Sequence, residues 1–296
     1  MFEKLKGNIL FEQLLKRRNI DKAYAMVGPE DSWYDTITTV HNSLKKIREY
    51  PYEDWQTISH DGLALKGIYY PGQSEDTLIW VHGYTSHAER ESAFPALFYK
   101  SLGFNVLIPY LRSHGPSAGK YISFGALESR DIMLWVEKVN QLHPQGRILI
   151  HGLSMGGATV LNLSDKEMTN VKGLIADAPN VSIKSVFQNI ANNVFKKDKK
   201  KDQILDFALR RFYKEFGVSA SDFEALDIIK NSRYPLLLSA GSNENLDDLL
   251  AELKANNPMD TTVVILPGCN HGNGMYKQTE MYQNAIKEFI SANNMR

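Results

Sequence analysis

The sequence predicts an α/β fold with a mainly parallel central sheet that is covered by helices on both faces. Short apolar runs rich in β-branched residues alternate with amphipathic stretches over most of the chain, and this alternation is typical of a parallel sheet. Before them, apolar runs at 55–59 and 63–70 flank a turn that ends at Gly62, which predicts an opening hairpin of antiparallel edge strands. The predicted helices that follow span about 88–101, 126–142, 156–164, 246–255 and 277–292.

The composition is that of an ordinary globular protein and argues against several classes of function. Of the 296 residues 43 % are apolar, and 34 basic residues balance 34 acidic ones, so the charge does not favour binding to nucleic acid. Cys269 is the only cysteine, which rules out an intrachain disulfide. Charged residues interrupt the apolar positions of residues 1–18, and no apolar run approaches the ~20 residues of a membrane span. We therefore expect a cytoplasmic protein with no integral membrane segment.

Residues 1–54 precede the predicted sheet and are expected to form a helical extension. Apolar residues recur at helical spacing from Leu5 onward, a turn follows at Gly28-Pro29, and a second helix is expected over 32–48. Asp31 is the expected N-cap of that helix. The extension would pack on the core or beside its mouth. The alternative is a helix that lies on a membrane surface through three basic residues, Lys16, Arg17 and Arg18.

A G-x-S-x-G pattern at Gly152, Ser154 and Gly156 predicts a nucleophile. It follows the apolar run 147–151 and precedes the small-residue run 157–161, so it falls at a turn from a strand into a helix. At such a turn a serine takes a strained backbone conformation that exposes its Oγ, while the glycines let neighbouring chain pass. The plainer interpretation is that the glycines only allow a helix to pack tightly on the sheet.

A serine hydroxyl is a weak nucleophile near neutral pH, so this pattern requires partners further along the chain. A histidine must accept the serine proton, and a carboxylate must orient that histidine. His271 follows the predicted strand 261–266 in a loop rich in glycine and proline, which is where the chemistry needs a base. Without the upstream serine, a lone histidine in such a loop is an ordinary surface residue.

Four residues are candidates for the carboxylate. Glu244 is the first one after the predicted strand 234–240, and a loop at the C-terminal end of a strand can face the same crevice as the serine. Asp177 follows another predicted strand. Asp247 and Asp248 open a predicted helix, where they would act as charges against the helix dipole. Glu244 is favoured, and the other positions stay open.

The order serine, acid, histidine along the chain resembles that of the α/β-hydrolase superfamily. The resemblance is to the branch of bacterial type that contains esterases, lipases, thioesterases and prolyl-oligopeptidase-like peptidases. It covers residues 55–293 and so includes most of the chain.

Several separate motifs support this resemblance. His82-Gly83, which follows the apolar run 77–81, resembles the HG segment of the family. Residues 110–117 resemble its D-x-R-x-H-G-x-S segment, although Tyr110 stands where relatives commonly carry Asp. Residues 124–136 resemble the start of the helix before the nucleophile strand in one subgroup of bacterial hydrolases.

The resemblance implies an α/β-hydrolase fold and an oxyanion hole formed by the backbone N–H groups of Tyr84 and Met155. It also favours Glu244, which lies three residues past Gly241, where relatives mostly carry Asp. No cofactor is implied. No metal site is expected either, because no H-E-x-x-H pattern accompanies the scattered histidines His82, His87 and His114.

The resemblance also bears on the domain organisation. A hydrolase domain is expected over 55–296, with an insertion at about 179–232 that is far longer than an ordinary connection. Insertions at this place form lids in similar hydrolases, so we expect a helical cap over the active-site mouth. Helical patterns at 186–195 and 204–216 flank the lysine run 196–201, which is expected to be a solvated turn.

The favoured function is a serine hydrolase that cleaves a carboxylic ester or related small acyl compound through an acyl-enzyme. A peptidase, amidase or thioesterase on the same scaffold is an alternative, and a catalytically inactive binding protein is an alternative of another class. The expected partner is a small-molecule acyl substrate rather than nucleic acid, and a homodimer stays open.

Overall fold

The computed structural model describes residues 2–18 and 33–294, and an eight-stranded sheet forms its centre. The strands are β1 Glu53–Ile58, β2 Ala64–Tyr70, β3 Thr77–Val81, β4 Asn105–Tyr110, β5 Ile148–Leu153, β6 Val171–Asp177, β7 Leu236–Gly241 and β8 Thr261–Leu266. Their spatial order is β1-β2-β4-β3-β5-β6-β7-β8, in which β1–β2 and β2–β4 are antiparallel and all other pairs are parallel. The predicted α/β fold class is confirmed, including its antiparallel opening hairpin.

The helices lie close to their predicted positions. They are α1 Phe2–Leu15, α2 Ile37–Ile47, α3 Ala88–Ser101, α4 Ala126–Leu142, α5 Met155–Leu161, α6 Ile183–Val194, α7 Lys201–Phe216, α8 Ala225–Ile228, α9 Asp247–Asn256, α10 Gly274–Lys277 and α11 Thr279–Ala292. The helix predicted over 277–292 is therefore preceded by a separate short turn of helix, with a break at Gln278. No helix in these described ranges is long and apolar enough to cross a membrane.

The central strands are buried because helices cover both faces of the sheet. β3, β5 and β7 contain only buried residues, which is the pattern expected of parallel strands. Trp135 of α4 belongs to the core on one face, and Tyr99 of α3 and Tyr282 of α11 belong to the core on the other. Parallel neighbours end at the same edge, so the loops that follow β5, β7 and β8 are brought together.

The N-terminal extension contains two helices that pack in different places. The predicted turn Gly28-Pro29 and the predicted N-cap Asp31 lie outside the described residues. α1 packs on α7 so closely that a Cβ on Gly7 would lie 2.6 Å from Phe207 Cβ. After α1, the Leu15 carbonyl accepts a hydrogen bond from Ile122 N at 2.7 Å, which attaches the helix to the loop after β4.

The second helix of the extension starts later than predicted. A 3-10 turn, Tyr34–Thr36, leads into α2, which packs on α3. Arg48, just past the end of α2, donates to both carboxylate oxygens of Glu89 at 2.8 and 2.6 Å. The extension therefore contacts the insertion through one helix and the sheet's own helical layer through the other.

The long segment between β6 and β7 is helical, with α6 and α7 as its main elements. Most of the lysine run forms the expected turn between them, and Lys201 already belongs to α7. The turn also makes ion pairs with α1, because Lys200 Nζ contacts Glu3 at 2.7 Å and Asp198 pairs with Lys6. Exposed ion pairs of this kind contribute little stability, so the apolar contacts of α1 hold the two segments together.

A buried arginine anchors the loop after β4. Arg112 donates to the Asp131 carboxylate of α4 at 2.7 and 2.8 Å and to Asp61 at 3.0 and 3.1 Å. The Arg112 and Asp131 side chains are buried, whereas Asp61 is half exposed. Burial raises the pKa of Asp131 to about 6 even though the guanidinium opposes it. The buried carboxylate therefore depends on Arg112 for its charge.

We expect Arg112→Met to lower the free energy of unfolding by about 3–5 kcal/mol, because it leaves the buried Asp131 without its partner. Asp61→Asn is the matched control and should cost less than about 1 kcal/mol, since that carboxylate is half exposed. Urea unfolding measures both. If Arg112→Met is no more damaging than Asp61→Asn, the buried pair does not anchor this loop.

Candidate active site

Ser154 lies between β5 and α5 in a strained conformation, with φ 58° and ψ −113°. The flanking residues must be glycine, because the neighbouring main chain leaves no room for a Cβ at Gly152 or Gly156. A Cβ on Gly156 would lie 1.9 Å from the Val81 carbonyl oxygen, and one on Gly152 would lie 2.1 Å from the Gly156 carbonyl oxygen. The close packing of α5 on the sheet and the strain at the serine therefore occur together, so the two interpretations of the glycines are compatible.

The side chains of Ser154, His271 and Glu244 form a continuous chain of contacts. Ser154 Oγ lies 2.8 Å from His271 Nε2, and His271 Nδ1 lies 2.6 Å from Glu244 Oε2. His271 stands in the loop after β8, and Glu244 ends the 3-10 turn Ser242–Glu244 after β7. The other carboxylate oxygen, Oε1, accepts the Gly241 N–H at 2.8 Å, which holds the Glu244 side chain in place.

The pKa of His271 is raised from its ordinary value. The hydrogen bond that the ring donates to the Glu244 carboxylate is the main cause, and partial burial opposes it. The histidine side chain is 55 % exposed, whereas that of Glu244 is only 9 % exposed. The base is thus open on the side of the cavity and is held by a carboxylate that solvent hardly reaches.

The other candidate acids have different surroundings. Asp177 lies at the end of β6, where its Oδ1 accepts the Ser239 hydroxyl at 2.9 Å and its backbone carbonyl accepts the Ser154 N–H at 2.8 Å. Burial raises the pKa of Asp177 to about 7. Asp247 and Asp248 are exposed in the first turn of α9. Among these carboxylates, the contact to the His271 ring that the structure shows is made by Glu244.

The segment after β3 is held by a partly buried carboxylate, Glu91, which the sequence analysis did not identify. Gly83 N donates to the Glu91 carboxylate, with both oxygens 3.1 Å away. Glu91 is in the first turn of α3, and burial raises its pKa to about 7. A carboxylate eight residues past the HG pair, at the start of a predicted helix, is the signal that could have identified it.

Two buried histidines hold neighbouring loops in place. His82 Nε2 accepts the Leu111 N–H at 3.1 Å, and His114 Nε2 accepts the Thr85 N–H at 3.1 Å. Burial lowers the pKa of both rings, which favours the neutral form that can accept. In the part of the chain that the structure describes, no group of His, Cys, Asp and Glu side chains is arranged to hold a metal ion.

A cavity of about 440 Å³ opens at Ser154 and His271. Tyr84 and Glu91 line it on the side of α3. The lining also includes five residues from the start of the second N-terminal helix and the turn before it, namely Trp33, Thr36, Ile37, Val40 and His41. Of the described residues, none from 179–232 lines this cavity, so the N-terminal extension and not the insertion supplies the part of its lining that lies outside the hydrolase sheet and its own helices and loops.

Comparison with known proteins identifies the family of this chain. The family described as serine aminopeptidase, S33, matches residues 72–226, slightly more than half of the chain. YqkD of Bacillus subtilis, an uncharacterized protein, is 38 % identical over 102 residues. That match covers 34 % of this chain and 33 % of YqkD, so it spans about a third of the relative's length.

Solved structures of low sequence identity share the fold. The esterase Pf2001 of Pyrococcus furiosus is 23 % identical with a TM-score of 0.65, and the superposition covers 83 % of this chain and 93 % of that one. An alpha-beta hydrolase from Vibrio vulnificus is 18 % identical with a TM-score of 0.64, covering 97 % and 93 % of the two chains. With its eight-stranded sheet, its strained serine turn and this family match, the chain belongs to the serine aminopeptidase S33 family of α/β hydrolases.

Proposed function

We propose that this protein is a serine esterase that cleaves a carboxylic ester of a small molecule through a covalent acyl-enzyme. The observation that carries the proposal is the contact chain from Ser154 Oγ through the His271 ring to the Glu244 carboxylate. This is the arrangement of nucleophile, base and orienting acid that activates a serine hydroxyl near neutral pH. The description of the Pyrococcus furiosus relative as an esterase adds support for an ester substrate.

The reaction proceeds in two halves that use the same nitrogen. As Ser154 Oγ attacks the carbonyl carbon, its proton moves to His271 Nε2 and the carbonyl oxygen becomes an oxyanion. The imidazolium donates that proton to the departing alkoxide, so the alcohol leaves and the acyl group stays on the serine. Water then gives a proton to the same nitrogen and attacks the acyl carbon. The imidazolium returns that proton to Ser154 Oγ as the bond between this oxygen and the acyl carbon breaks, and the acid is released. Glu244 holds Nδ1–H throughout, which keeps Nε2 free to accept.

The backbone N–H groups of Tyr84 and Met155 are the proposed donors to the oxyanion. Two features support the Tyr84 side of this site: Glu91 accepts the adjacent Gly83 N–H, and the Tyr84 hydroxyl donates to the Leu14 carbonyl of α1. Both contacts restrain the segment from outside the sheet. Donors fixed before the reaction stabilise charge that appears only in the transition state, and each contributes roughly 10²–10³ in rate.

A peptidase or amidase is the second candidate, because the family description names an aminopeptidase. An ester and an anilide with the same chromophore separate the two candidates. We expect p-nitrophenyl butyrate to be hydrolysed and an aminoacyl p-nitroanilide to be cleaved much more slowly. The reverse order would favour the peptidase, and the absence of both turnover and labelling by a fluorophosphonate would favour a non-catalytic binding protein.

Ser154→Ala should abolish ester turnover and fluorophosphonate labelling, a loss on the order of 10⁴-fold or more, because the attacking oxygen is gone. Its free energy of unfolding should change by less than about 0.5 kcal/mol, since only a hydroxyl is removed. Ser185→Ala, an exposed serine on α6, is the control for labelling. Full labelling of Ser154→Ala would show that the nucleophile lies elsewhere.

Glu244→Gln should lower kcat by up to about 10⁴-fold with a much smaller change in KM, because the base loses the partner that fixes its tautomer. Asp247→Asn is the exposed control and should stay within about tenfold of the parent. Glu244→Asp should also lose activity if the loop is built around the longer side chain. Near-normal kcat in Glu244→Gln together with collapse in Asp177→Asn would transfer the orienting role to the end of β6.

The pH dependence of kcat/KM should report the raised pKa of His271. The base must be neutral to accept the serine proton, so activity falls as pH drops through that pKa, which lies above the ordinary value of ~6.5. Because Glu244 favours the protonated ring, Glu244→Gln should shift the midpoint of the acid limb to lower pH. Histidine proton signals in an NMR titration measure the same shift without turnover, and an unchanged midpoint would contradict this assignment.

A further inference from the structure

The wall of the Ser154 cavity that is built by the N-terminal extension is chemically distinct from the rest. Trp33, Ile37 and Val40 present aromatic and aliphatic surface, and Leu153 and Tyr276 continue it on the side of the sheet. The polar lining residues Arg90 and Glu91 belong to α3. The lining therefore offers apolar surface for a substrate group next to a smaller number of polar contacts, among which Thr36 and His41 belong to the N-terminal extension itself.

This apolar wall packs against the loop after β8, which carries His271. The Trp33 ring meets the Tyr276 ring edge-on, with 5.4 Å between their centroids, and Tyr276 stacks on Phe94 of α3. A Cβ on Gly272, the residue after His271, would lie 3.2 Å from Trp33 Cζ2. The Thr36 hydroxyl donates to the Trp33 carbonyl at 2.6 Å. The tryptophan is thus held next to the base by contacts on several sides.

The insertion 179–232 uses its apolar surface elsewhere. Phe187 of α6 meets Phe212 of α7 edge-on, and both rings are fully buried. Phe216, at the end of α7, lies against Phe11 of α1 with 6.2 Å between the ring centroids. These helices thus pack on each other and on α1, and no described residue of theirs reaches the cavity wall.

We propose that residues 33–40 form the acyl-binding wall of this enzyme, and that the acyl group of its substrate is compact and apolar, with an aromatic ring or a short branched chain. This inference rests on the esterase function proposed above and names the substrate class of that site. The cavity volume of about 440 Å³ lies within the range of small-molecule sites, and the rings of Trp33 and Tyr276 and the branched side chains of Ile37 and Val40 shape its apolar part. Trp33 and Tyr276 in the lining offer the aromatic contacts that a ring favours.

The proposal can be tested with p-nitrophenyl acetate, benzoate and decanoate. The wild-type protein should have a higher kcat/KM for the benzoate than for the decanoate. Val40→Phe fills the cavity and should lower the ratio of kcat/KM for benzoate over acetate by about tenfold or more, because a pocket of fixed size discriminates by volume. Labelling rates with a phenyl and a methyl phosphonate probe provide the same ratio in a single covalent step.

Two isoleucines provide a matched pair of variants. Ile37 lines the cavity and Ile190 lies on α6 of the insertion, and both are partly buried. Ile37→Ala should change the benzoate-to-acetate ratio by about tenfold, whereas Ile190→Ala should leave it within about twofold of the parent. Urea unfolding checks that both variants are folded. If Val40→Phe does not fold, Ile37→Ala carries the test, because it removes atoms instead of adding them.

The opposite result would overturn the inference. If Ile190→Ala changes the benzoate-to-acetate ratio of kcat/KM while Ile37→Ala and Val40→Phe leave it unchanged, the insertion forms the acyl-binding wall. A wild-type preference for decanoate over benzoate would contradict the substrate class. Failure of the esterase function is distinguishable, because the wild-type protein would then neither hydrolyse the acetate nor react with the phosphonate probes, and the inference would fall with it.

Discussion

The structure depends on how closely the start of α5 approaches β3 and β5. The Val81 carbonyl oxygen lies where a Cβ on Gly156 would stand, so the chain can make this turn only with glycine there. The approach forces Ser154 into its strained conformation and turns its N–H toward the Asp177 carbonyl of the neighbouring strand. The serine hydroxyl is therefore positioned by main-chain packing, and the loops after β7 and β8 supply side chains to a point that the sheet has already defined.

Three carboxyl groups lie around the proposed base, and their hydrogen-bond partners distinguish them. Burial raises the pKa values of Asp177 and Glu91 to about 7, and both groups are engaged with their own strand or loop, through the Ser239 hydroxyl and the Gly83 N–H. Glu244 accepts the Gly241 N–H with one oxygen and contacts the imidazole with the other. The three carboxyl groups thus have different roles that follow from their contacts. Asp177 supports the serine turn, Glu91 supports the segment after β3, and Glu244 contacts the histidine.

The two N-terminal helices and the insertion between β6 and β7 pack in different places around the sheet. α1 packs on α7 and its Leu14 carbonyl accepts from the Tyr84 hydroxyl, so the first helix connects the insertion with the proposed oxyanion segment. α2 packs on α3 and lines the cavity beside Ser154. The insertion, which the family resemblance suggested as the lid, packs against α1, and none of its described residues lines the cavity at Ser154. Proximity to the site therefore follows from packing partners rather than from the place of a segment in the chain.

The sequence by itself determined the helices and strands and the order in which the proposed nucleophile, acid and base follow along the chain. The β-branched runs, the amphipathic helices and the G-x-S-x-G turn are local patterns, because burial on a sheet and strain at a turn act over a few residues. It also placed His271 and Glu244 in loops at the same edge of the sheet as Ser154, since parallel strands end together. Only the tertiary structure decided which carboxylate meets the imidazole and which segment walls the cavity. Those contacts join residues 27 and 117 positions apart around the base, and Trp33 to the residue after His271, so no local pattern could encode them.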